Sequence, residues 1–136
     1  MSENIVVNGS LSVGPANAAD AALPSGSMVF QLASTPNPKP SQAQDKGSRA
    51  VASSLSFVTL GSVGAGGNVT QGDTLLVISD APVQLRLTMN NPLGSDEVST
   101  VELQGMLLLE FPPAQYLKLL EVKGTANVEY FVSGQS

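Results

Sequence analysis

The chain predicts an antiparallel all-β fold, and three observations predict it. The first is unbroken alternation over residues 83–89: Val83, Leu85, Leu87 and Met89 fall to one side, Gln84, Arg86 and Thr88 to the other. A period of two marks a strand with one buried and one wet face. The second is the run Leu75-Leu76-Val77-Ile78, apolar on both sides, as expected of a strand covered on two faces. The third is punctuation. Gly72-Asp73 and Asp80-Ala81-Pro82 bound these runs and keep the first too short for a helix. Pro82 lacks a backbone donor and steers Ala81 away from helical angles, so a turn is expected there. Residues 72–89 therefore read as a β-hairpin at the centre of the domain.

The other elements follow in order. Residues 4–13 form a first strand, with Ile5, Val7, Leu11 and Val13 in phase; Asn8-Gly9 could instead turn it into a small hairpin. An Ala-rich connection over 14–26 leads to a short strand on Met28, Phe30 and Leu32. Residues 33–49 hold prolines at 36, 38 and 40, which favour extended polyproline-like chain over a paired strand. This stretch is an exposed loop or an arm laid on a neighbouring subunit. A strand resumes over 50–60, with Val51, Leu55 and Phe57 sharing a face, and a Gly-rich connection fills 61–72. After a polar turn at 90–97, a long strand spans 98–111, with Gly105 as its bulge. Pro112-Pro113 ends it. Strands over 116–122 and 126–132 close the chain, joined at Lys123-Gly124-Thr125. About eight strands with long loops make a β-sandwich, the jelly roll being one of its forms, with a closed barrel as the main alternative.

Composition narrows the function. At 136 residues the chain is expected to be a single domain, 1–136, with 1–13 and 33–49 as arms or loops. Cysteine, histidine and tryptophan are absent and charged residues are only 12%. The usual nucleophile–base pairs are therefore missing, and no cofactor or thiolate metal site is expected. The carboxylates lack the aromatic walls of a glycosidase cleft, with aromatics at 4%. No enzyme is expected. Gly64-Ala-Gly-Gly67 lacks the Lys and Ser/Thr of a phosphate loop, and Asp73 and Asp80 miss the spacing of a calcium loop. A net charge of −5 with scattered bases disfavours nucleic acid. The amino terminus lacks the basic and apolar regions of a signal peptide, and an apolar stretch such as 106–109 is far too short to span a bilayer, so no membrane partner is expected. In Tyr130-Phe131, alternation sends the rings to opposite faces, so one should meet a second layer or a subunit interface.

The segments Asn4-Ile-Val-Val-Asn-Gly-Ser-Leu11, Thr70-Gln-Gly-Asp-Thr-Leu-Leu-Val77 and Leu119-Leu-Glu-Val-Lys-Gly-Thr-Ala-Asn-Val-Glu-Tyr-Phe-Val-Ser-Gly134 give the chain a style. It resembles the small β-rich structural proteins of tailed bacteriophage particles, above all the decoration (cement) proteins of phage heads. The resemblance implies a virion protein made in the host cytoplasm that clamps neighbouring subunits of the major capsid protein. It also implies a homo-oligomer, with a trimer favoured. A tail or neck component and a soluble carbohydrate-binding module are the alternatives. The expected interface residues are Ile5, Val7, Pro36, Pro38, Pro40, Tyr130 and Phe131.

Overall fold

The computed structural model describes residues 8–13, 28–33 and 41–136. The chain is all-β with antiparallel pairing, and no helix occurs among the described residues. Two units are compact by themselves, one containing the first two strands and the other the remaining four. In the smaller, β1 (Asn8–Val13) pairs with β2 (Met28–Ala33), from Asn8 opposite Ala33 to Val13 opposite Met28. Asn8-Gly9 therefore lies inside the ladder instead of turning a hairpin of its own.

The larger unit is a four-stranded sheet of β3 (Ala43–Thr59), β4 (Gln71–Met89), β5 (Glu97–Glu110) and β6 (Leu117–Gln135), in the order β3-β6-β4-β5. Residues 43–49, expected in a loop or arm, are the first part of β3 and pair with β6. The extended habit of that stretch holds there, but it is satisfied by a neighbouring strand.

Two expected turns are corrected. Asp80-Ala81-Pro82 does not close a hairpin: β4 runs through it, and Ser79 and Val83 pair with Val128 and Gly124 in one unbroken β6 register. Asp80 explains why pairing survives. Its carboxylate accepts the Asn127 backbone N–H at 2.9 Å and the Asn127 side-chain amide at 3.1 Å, replacing ladder bonds at the break. Likewise Lys123-Gly124-Thr125 lies within β6.

These irregularities align across the sheet. β4 has its break at 80–82, and β5 shifts register beside Gly105, which takes φ 98° as the expected bulge. β6 has Gly124 at φ 144°, and β3 accommodates extra residues between Ser53 and Val58. The four strands share one transverse crease.

The sheet doubles back at this line. Residues 49 and 59 would stand about 33 Å apart on a straight strand. Yet the Arg49 guanidinium donates to the Thr59 carbonyl at 2.6 Å, and the Ser62 N–H donates to the Asp45 carboxylate at 2.6 Å. Gly72 of β4 is partnered by both Gly134 and Leu117, near opposite ends of β6. Inward residues from both sides of the crease, including Leu75, Val77, Leu85, Val122 and Val128, accordingly form one buried cluster.

Odd positions of β4 keep facing this core from Leu75 to Leu87, because Ser79 to Val83 is an even step. In β3 the crease changes the faces. Leu55, expected to share a face with Val51 and Phe57, is 93% exposed while Val51 is buried, and Phe57 lies half-buried beside Arg86 and Lys123.

Candidate functional site

The even positions of β4 define the sheet's outward face, and the crease divides that face into two unlike halves. Beyond the crease it is polar. Arg86 grips Glu121 with two bonds of 2.9 and 2.8 Å, and its guanidinium lies 4.1 Å from the centre of the Phe57 ring. The Lys123 ammonium sits 4.8 Å from the same ring. These bonds from Arg86 hold the Glu121 carboxyl below its ordinary pKa. Gln84 and Glu102 are also joined here, at 3.4 Å.

Before the crease the outward face is apolar. The registers set Phe131 of β6, Leu76 of β4 and Leu108 of β5 in one row. The next row holds Glu129, Ile78 and Met106. Ile78 is 40% exposed, Met106 62% and Leu108 36%. Leu76 and Phe131 are half-buried, and a shallow groove of about 420 Å³ runs past them to Lys46 and Ser48 at the β3 edge. Large apolar side chains grouped on adjoining strands, with polar residues at the rim, mark a surface shaped for contact.

Tyr130 and Phe131 take opposite faces, as alternation requires. Phe131 enters the apolar rows. Tyr130 packs against the core, with its ring over Gly47 and Gly61, where an added Cβ would come within 2.8 and 2.9 Å of it. Burial, and secondarily the charge of Asp45, push the Tyr130 hydroxyl above its usual pKa. Ile5, Val7, Pro36, Pro38 and Pro40 lie outside the described residues.

Reading by sequence missed Leu76, Ile78, Met106 and Leu108 as surface residues, although the signal was present. Both 75–78 and 106–109 are apolar on two faces, and the structure sets them side by side in β4 and β5 with one face against the core and the other facing out.

The carboxylates are dispersed into structural bonds. Asp45 holds the loop after β3, Asp80 the crease, Asp96 pairs with Lys118 at 2.7 Å, and Glu97 accepts from Asn91 at 3.3 Å. The buried Asp73 accepts from the Gln135 amide at 2.9 Å. No group of three or more potential metal ligands occurs among the described residues, and no helix there is long and apolar enough to cross a membrane. No family model matches the chain, and no match was found among curated proteins or solved structures.

Proposed function

We propose that this is a non-enzymatic structural protein of a virus particle, a capsid decoration protein that clamps neighbouring shell subunits. The observation that supports it is the apolar outward face formed by Leu76, Ile78, Met106, Leu108 and Phe131. Such a face suits broad contact with another protein better than capture of a small molecule, since contact area and shape complementarity suffice. On this reading the occupant of the face is the outer surface of the major capsid protein. The fold is then read as a sandwich of jelly-roll kind, each of the four creased strands giving one half to each layer. A phage-particle origin rests on the resemblance in sequence style.

Two experiments test the proposal. Quantitative mass spectrometry of purified particles should find the protein at a copy number comparable to the main shell protein. A few copies per particle would move it to the neck or tail, and absence from particles would end the proposal. In rebinding to particles lacking the protein, Phe131→Ser with Ile78→Ser should lower occupancy, whereas Gln84→Ser on the polar half should not. Equal occupancy for all three proteins would remove the apolar face from the account.

A further inference from the structure

The strand order leaves β5 at one end of the larger sheet, with β4 on one side of it. Beyond the crease, the direction of its backbone groups follows from its neighbours. The Leu120 carbonyl of β6 accepts the Leu60 N–H on the β3 side. Antiparallel pairing alternates direction residue by residue, so Glu121 and Lys123 turn to β4, where Arg86 and Gln84 face them. Leu85 and Leu87 then turn to β5 and bond to Val101 and Ser99. Val98, Thr100 and Glu102 accordingly aim their N–H and C=O groups away from the sheet. Among the described residues no bond to those groups is found, and all three residues are exposed, Val98 by 59%. The stretch suits extended pairing. Val98, Thr100 and Val101 are β-branched, and residues 97–102 contain neither proline nor lysine, the usual guards of an exposed edge.

Two carboxylates bracket this edge. Glu97 accepts from the Asn91 amide and Glu102 from the Gln84 amide, both neutral donors. The basic side chains nearby are engaged: Arg86 with Glu121, Lys118 with Asp96, and Lys123 against the Phe57 ring. Open backbone groups therefore lie beside two uncompensated negative charges. A second copy, at net charge −5 and with the same carboxylates on its edge, brings the wrong sign.

We propose that the β5 edge over residues 97–102 takes an extended basic segment of another protein as an added strand. Main-chain bonds to Val98, Thr100 and Glu102 supply the pairing, and lysine or arginine opposite Glu97 and Glu102 supplies the selectivity. Those two positions lie five apart, so the incoming segment carries basic residues at i and i+5, directed to opposite faces of the sheet. This edge lies on the polar side of the crease, away from Leu76, Ile78, Met106, Leu108 and Phe131. Strand addition and docking of the apolar face can therefore fail separately.

The test uses the full chain and a capped peptide of threonine and valine with two lysines five positions apart. Fluorescence anisotropy should show saturable binding, weakened by added salt. Thr100→Pro removes a donor that β4 does not use. It should weaken binding by about tenfold or more while the urea midpoint stays close to the parent value. Glu97→Lys with Glu102→Lys should weaken binding by a similar factor and should instead admit the peptide with glutamates in place of its lysines. Should Thr100→Pro fail to fold, this double reversal still decides. Phe131→Ser with Ile78→Ser should bind the peptide unchanged.

Amide hydrogen exchange gives a second reading. In the free protein the N–H groups of Val98, Thr100 and Glu102 should exchange fast and those of Ser99 and Val101 slowly, and the peptide should slow the first set. Absence of saturable binding, binding indifferent to both sets of edge variants, or protection of the edge in the free protein through self-association would overturn the proposal.

Discussion

Gly124 and Gly105 both have backbone angles that side chains resist, but their surroundings differ. A Cβ at Gly124 would meet the Val83 side chain at 3.0 Å and the Pro82 carbonyl at 3.2 Å, whereas a Cβ at Gly105 would meet nothing within 4 Å. Gly105→Ala should cost about 1 kcal/mol from backbone strain, and Gly124→Ala about 2 kcal/mol or more because crowding is added. Urea unfolding with an unchanged slope would establish that order. Asp80 is the other decisive residue at the crease. Bonds from the Asn127 backbone and then its side chain hold the Asp80 carboxyl below its ordinary value. Because the folded pKa is depressed, the stabilisation is complete above the unfolded value, roughly pH 4. It is lost as pH falls through the lower folded value. Glu121, lowered by Arg86, acts in the same direction. Asp80→Asn should therefore reduce stability at neutral pH and flatten the acid limb of a stability–pH curve. An unchanged acid limb would remove Asp80 from that account.

At the scale of the element, β4 shows two faces of one strand serving different ends. Leu85 is fully buried in the central cluster, and Ile78 is 40% exposed on the outward face. Leu85→Ala should destabilise by about 2–5 kcal/mol through lost burial and a residual cavity. Ile78→Ser should change stability by less than about 1 kcal/mol. Thermal or urea unfolding would check both values, and an equal loss for the two would mean that the outward face is part of the core. Pairing of β4 with β6 persists across Asp80-Ala81-Pro82 because the break spans an even step and a carboxylate replaces the missing ladder bonds. In β3 the extra residues between Ser53 and Val58 have the opposite effect, exposing Leu55 and moving Phe57 to the polar face.

At the largest scale, that of the four-stranded unit, the crease brings inward residues from both sides into one buried cluster, leaving an apolar outer half and a polar outer half. The asymmetry predicts one-sided behaviour. Loss of Phe131 and Ile78 should reduce attachment to particles, and loss of Gln84 on the polar half should leave it unchanged. Particle occupancy and urea unfolding, measured on the same variants, separate loss of attachment from loss of stability.

The sequence by itself determined the β class, the alternation of β4, the bulge at Gly105 and the opposed faces of Tyr130 and Phe131. These depend on near neighbours in the chain, whose period and φ angles are local properties. Tertiary structure alone decided that Asp80-Ala81-Pro82 and Lys123-Gly124-Thr125 are creases within long strands. A turn and a crease use the same residues, and only the partner strand, through Asn127 and the Val83–Gly124 pairing, selects between them. The apolar face was likewise half-written. The unbroken run 75–78 was apolar on both sides and 106–109 is so too, but which side meets the core depends on the strands that the crease folds over it.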